Sequence, residues 1–363
     1  MQKRKIAGIC FILSLALIPE VCLAKVTGQC GNCHTMHNSQ DGGAVAYEAD
    51  LSGDSWQSSV NPNEALLKTS CIGCHLGVNS GGVGQTPYVL QFDPPTYGST
   101  GTTGNTLAGG SFYWVSTGLH AMGHNVAGIV TGDTRLGNIP PGGAELVGQL
   151  TCAGSLGCHG DSGVSGQLSS MSGSHHSNNM AVWKDGSSLA KSYRFLNSVQ
   201  GLEDDEFEYQ PTAARHNKYY GVDRADETED GSGTIGKLCA RCHGDFHQGS
   251  GKVASGTFGS GVWLRHPTNF DMGRASTSTE YVKYNGDDGI GTASYSVISP
   301  VATISKTTTI NSAVYAEADD AIVMCLSCHR AHGTEFAGIL RWNYKAWPAA
   351  GYNGCAVCHT TKD

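Results

Sequence analysis

Beyond residue 24 the sequence has no apolar run that approaches the length needed to cross a bilayer. Sustained amphipathic periodicity is scarce as well, which excludes an architecture built on long core-forming helices. Positive charge is short: 23 Lys and Arg stand against 31 Asp and Glu, for a formal net charge of −8. That balance argues against a nucleic-acid partner and is compatible with a cationic or metal-bearing one. What abounds is glycine, 50 of 363 residues, and cysteine, 14 in all. A chain so rich in glycine reads as loops, and such loops need something other than packed side chains to fill their interior.

Residues 1–24 read as an export signal, with Lys3, Arg4 and Lys5 as the basic start, residues 6–18 as the apolar core and Ala24 at a plausible cleavage site. The apolar run is too short for a membrane anchor. Cys10 and Cys22 lack the surroundings of a lipid-attachment site. A mature chain beginning near Lys25 would carry 20 basic against 30 acidic residues, a net charge of −10, and would work outside the cytoplasm as one unit over residues 25–363.

All twelve remaining cysteines fall into six motifs. Five have two residues between the thiols and a histidine directly after the second: Cys30–Cys33–His34, Cys71–Cys74–His75, Cys239–Cys242–His243, Cys325–Cys328–His329 and Cys355–Cys358–His359. The sixth, Cys152–Cys158–His159, has five residues between its thiols and keeps the Cys-His adjacency. Two thiols at this spacing suit thioether attachment to the vinyl groups of a porphyrin, and the adjoining imidazole then lies under the iron. Zinc needs four ligands from two pairs, and nothing in its geometry requires a histidine after each second cysteine. Disulfides fail because pairs this close in sequence close no useful loop and no cysteine is left over. The reading is six c-type haems, with the porphyrins supplying most of the buried apolar surface. The fold expected is mostly coil with short helices at the motifs and a few β-hairpins, wrapped around a stacked haem chain.

Six irons with two axial imidazoles each need twelve histidines, and the chain has 15. The proximal ligands are His34, His75, His159, His243, His329 and His359. His37 lies one turn beyond His34, on the same side of the backbone, so the two rings cannot grip opposite faces of one flat macrocycle. His37 must serve another iron, and two haems must be neighbours. His247 after His243 and His332 after His329 repeat that arrangement. His124 and His266 complete the candidates, together with one of the adjacent His175 and His176, whose side chains diverge too far to grip a single iron; His176 is taken. His120 and His216 read as ordinary surface histidines. With every iron six-coordinate no position is open for substrate, which favours electron transfer over catalysis. The absence of methionine ligation implies low potentials.

Elsewhere, residues 62–67 suggest a short helix and residues 77–112 a long surface loop. Residues 111–115 read as a short strand or an aromatic patch, the acidic run 203–208 as a solvated loop, and residues 293–315 as a hairpin.

Three stretches carry a resemblance: CGNCHTMHNSQDGGAV near the start, CARCHGDFH followed by WLRHP, and CLSCHRAHG followed by LRWNY. They are similar to the multihaem c-type cytochromes of metal-reducing bacteria that polymerise into extracellular nanowires, the OmcS and OmcE type. The resemblance is strong over residues 28–45, 236–272 and 322–345 and weak between them. It implies that His124, His247, His266 and His332 match family histidines, and that His37 ligates a haem of the adjacent subunit. It further implies a head-to-tail homopolymer, periplasmic or outer-membrane redox partners, and extracellular metal or electrode acceptors. The third motif departs from the family pattern, having a longer spacer and the His175–His176 pair downstream. The rival expectations are a monomeric periplasmic carrier and a multihaem reductase of oxyanions.

Overall fold

The structure is a computed structural model that describes residues 28–49, 56–59, 65–98, 102–177, 181–223, 231–247, 266, 268–274, 284, 293–314, 319–346 and 354–359. The export signal and residues 62–64 of the expected short helix lie outside these. Most of the described chain is coil. Its longest helix is Ile235–Ala240, begun by the Thr234 hydroxyl, which accepts a hydrogen bond from the Lys237 amide at 3.1 Å. Such a cap contributes about 1 kcal/mol. No helix among the described residues is long and apolar enough to cross a membrane. Every sheet described has two strands. The longest pair sets Ala46–Ala49 against Trp56–Ser59, and Ala293–Ser294 pairs with Ala313–Val314 to close the expected hairpin.

Two local readings change. Residues 113–116 form a helical turn, not a strand, with Val115 buried against Phe112 and Val126. The acidic run 203–208 is not a solvated loop: Glu203, Asp204 and Glu208 are buried. Composition alone cannot show why, because the compensating groups come from other segments. Arg215 pairs with Asp204 at 3.1 Å. The Asn217 side-chain carbonyl accepts from the Asp204 amide at 2.8 Å. Glu203 accepts a 2.6 Å hydrogen bond from the Arg194 backbone amide, and the Arg194 guanidinium donates to Asn217 Oδ1 at 3.0 Å. These bonds hold Arg194 at φ 48°, a left-handed conformation that a non-glycine residue adopts only when its surroundings impose it.

The apolar interior is divided into three small clusters. One gathers Tyr284, Tyr295, Val301 and Val323 with Cys358 at its margin. A second gathers Tyr193, Tyr219, Ile235 and Ile322 beside Cys239. The third holds Phe112, Val115 and Val126 beside Cys152. Each cluster abuts a motif cysteine, so the packed side chains form walls around the attachment points and not one continuous core.

Replacing Glu203 with alanine leaves the Arg194 amide and guanidinium without their carboxylate in a buried setting. The expected loss is about 2–4 kcal/mol, read by chemical denaturation of the full chain. A variant as stable as the parent would contradict the role assigned to this network.

Candidate haem iron centres

Local backbone geometry explains why the motifs work as attachment turns. Cys71–His75, Cys325–Cys328 and Cys355–Cys358 are single helical turns, and Cys30–Asn32 is a 3₁₀ turn. In such a turn residues three apart share a face, so both thiols point the same way. The turn is closed by the histidine itself: the amides of His34, His243, His329 and His359 donate to the carbonyls of Cys30, Cys239, Cys325 and Cys355 at 2.8–3.0 Å. The third motif reaches the same end differently. Thr151–Ala153 and Gly157–His159 pair in parallel through a three-residue loop. That loop demands glycine twice, since Gly154 sits at φ +89° and a Cβ on Gly157 would stand 2.5 Å from the Ala153 backbone. The long spacer is thereby coiled back on itself, and His159 still follows Cys158 at the end of the turn.

Thiols of consecutive motifs are neighbours. Burial and the Cys33 thiol raise the Cys74 pKa, Cys152 is raised by its hydrogen bond with Cys71, and Cys158 is raised with Cys242 close by. Cys239 is raised by a hydrogen bond with Cys325, while Cys328 is pushed up to about 12 by burial and by Cys358 and Cys355. The six motifs therefore lie in a row that follows sequence order.

Five of the motif histidines donate from Nδ1 to a backbone carbonyl: His34 to Ala65 at 2.6 Å, His75 to Pro87 at 2.8 Å, His159 to Arg194 at 3.0 Å, His243 to Pro141 at 2.7 Å and His329 to Gly338 at 2.8 Å. A carbonyl oxygen only accepts, so each Nδ1 carries the proton and each Nε2 keeps its lone pair. The strained Arg194 described above is the residue whose carbonyl orients His159. Burial lowers the pKa of His75, His124 and His329. It pushes His332 down to about 3, with His159 adding to the effect. These rings are neutral near pH 7, as metal ligation requires.

Two imidazole nitrogens at about 2.0–2.1 Å from one metal put their ring centroids roughly 6.4 Å apart. Five pairs of rings stand at that separation. His34 faces His176 at 6.1 Å, His75 faces His175 at 6.4 Å, and His159 faces His332 at 6.4 Å. His243 faces His124 at 6.1 Å, and His359 faces His266 at 6.3 Å. The donor set and the spacing fit a bis-imidazole iron at each pair. Where the sequence reading took His176 alone, the fold sets both members of the dipeptide against motif histidines, one each. The divergence of adjacent side chains was the available signal, since rings that cannot share one iron can serve two.

The remaining histidines are placed otherwise. His329 faces no other imidazole among the described residues, which include all fifteen histidines. His37 is exposed beside exposed Met36. His247 Nε2 lies against Gly231, where a Cβ would stand 3.4 Å away. His120 is held by the Asn125 side chain. His216 is not a surface residue: it is buried, stacked on Tyr295 with centroids 3.6 Å apart, and its Nδ1 donates to the Asn217 carbonyl.

Two outcomes are expected. His175→Ala should perturb only the centre on His75 and His176→Ala only that on His34, each removing the low-spin signal of one centre in electron paramagnetic resonance of the loaded protein; loss of two centres from one substitution would contradict the division. Acid should also destabilise the fold over a defined window. An unfolded imidazole takes up its proton near pH 6.5, whereas folded His332 does so only near 3. Its contribution is therefore intact above about pH 6.5 and is lost progressively as pH falls toward 3, which a pH series of thermal melts would read.

Known proteins are similar to this chain in part or over most of its length. Residues 317–363 match the family model for a doubled CXXCH motif. A curated relative, the C-type cytochrome OmcS of Geobacter sulfurreducens, is 27% identical over 370 residues, covering 87% of this chain and 78% of its own length. Two solved structures, an outer membrane cytochrome S filament and the OmcS nanowires, both from Geobacter sulfurreducens, align over 88% of this chain and 85% of theirs at 21% identity, with TM-scores of 0.47 and 0.46. By its cysteine and histidine motifs and by similarity over most of its length, the chain resembles the multihaem c-type cytochromes of the OmcS kind.

Proposed function

We propose that this chain is an exported electron conductor that carries six covalent c-type haems in a row, over residues 25–363, and passes electrons toward acceptors outside the cell. The observation that carries the reading is the set of five imidazole pairs at 6.1–6.4 Å on motifs whose thiols are neighbours in sequence order. Haem iron held by two imidazoles supplies one-electron chemistry at low potential. The residues of the chain do the rest. Cysteines fix each group covalently, carbonyl-anchored histidines set the proximal side, and the facing histidines occupy the other side and keep substrate away. The second histidine after motif five belongs to the third pair, so one short stretch, His329 to His332, serves two centres that lie on either side of the fourth.

The proposal extends to assembly. His329 has its Nδ1 anchored like the others, while His37 is exposed on the first motif. A second copy supplying His37 to the centre on His329 would complete six bis-imidazole irons and join chains head to tail. A contact of this heterologous kind yields an open filament when its rotation does not close. An extracellular location and a homopolymer also suit the relative named above, whose solved forms are filaments.

Pyridine haemochrome analysis should count six haems per chain, and electron microscopy of the secreted protein should show filaments. His37→Ala should abolish the filaments and leave single chains that keep all six haems. Filaments of unchanged length from that variant would refute the bond between copies, and fewer than six haems would refute the conductor.

A further inference from the structure

We infer that the iron centre on His329 is a binding site for small strong-field ligands in the single chain, carbon monoxide when ferrous and cyanide when ferric, and that assembly closes it. This rests on the proposed six-haem reading and goes beyond it, because it assigns the unassembled chain a ligand-binding activity that the polymer lacks.

The argument begins with asymmetry among the six motifs. Five motif histidines are each faced by a second imidazole across a gap of iron-spanning width, and His329 is not. Its ring is nonetheless as firmly seated as the rest. Nδ1 donates to Gly338 at 2.8 Å, and the backbone around it is pinned by Arg330 N to Ile339 O at 3.0 Å and Arg341 N to Cys328 O at 2.8 Å. The proximal side is thus preset, and no other imidazole among the described residues stands against His329 at that spacing. An iron held there by one fixed histidine would be able to take up small exogenous ligands.

The nearest candidates within the chain are committed elsewhere. His332, three residues on, faces His159, and His124 faces His243. His247 is turned toward Gly231. Arg341 is buried and ties this segment to the carbonyls of Val297, Ile298 and Leu326 at 3.0–3.4 Å. Cyanide is the corresponding probe of a ferric centre.

The test uses the full haem-loaded chain in two states, filaments and single chains separated by size exclusion, with His37→Ala as a permanently single form. Carbon monoxide is titrated into the reduced protein and followed by the Soret difference spectrum. The expected result is one ligand per single chain and at least tenfold less per chain in filaments, where only terminal chains are open. His37→Ala should bind one per chain under all conditions. Cyanide added to the ferric single chain should convert one high-spin signal in electron paramagnetic resonance to low spin, a second readout that needs no variant. Single chains that bind no carbon monoxide and show no high-spin iron would overturn the inference while leaving the conductor intact. The same silence relieved by His247→Ala would also overturn it, by showing that His247 closes the centre. Binding of several ligands per chain in filaments would instead refute the bis-imidazole reading itself.

Discussion

The bond from a motif histidine Nδ1 to a backbone carbonyl is the constraint on which the rest depends. It chooses the tautomer, fixes the ring plane and aims Nε2, and it does so five times with carbonyls drawn from loops near and far in sequence: Ala65, Pro87, Pro141, Arg194 and Gly338. Those loops have little regular structure to hold them. Their positions are set by small apolar clusters, by caps such as Thr234, and at the third centre by a buried ion network that forces Arg194 into a left-handed turn. Outer partners of this kind tune ligand orientation and basicity as much as the ligands themselves do. The coil is therefore specified by what it must orient.

Burial cooperates with that constraint. A charged imidazole binds no metal, and low polarity around His75, His124, His329 and His332 disfavours the charged form. Raised thiol pKa values at the half-buried Cys328 and Cys358 have the same cause. The packing that surrounds the motifs thus also favours the protonation state that ligation needs.

Much of this was legible in the sequence because attachment chemistry is local. Two thiols and a histidine within a turn declare themselves without any fold, and glycine content foretold coil. The expanded third motif was readable as a site, although only the fold shows how Gly154 and Gly157 let the spacer coil back. What stayed hidden was long-range. The partners of Glu203 and Asp204 sit on other segments, so an acidic run looked solvated. His216 looked like a surface residue because its stacking partner, Tyr295, is 79 positions away. That His175 and His176 are set against different motif histidines needed the knowledge that His75 and His34 approach the same bend.

That dipeptide has a mechanical consequence. Two rings on successive residues share one short piece of backbone, so any twist there moves both rings at once. Irons held by these two rings would be geared together: strain at one, from crowding at the amino end or a change of oxidation state, would pass to its neighbour through a single peptide link.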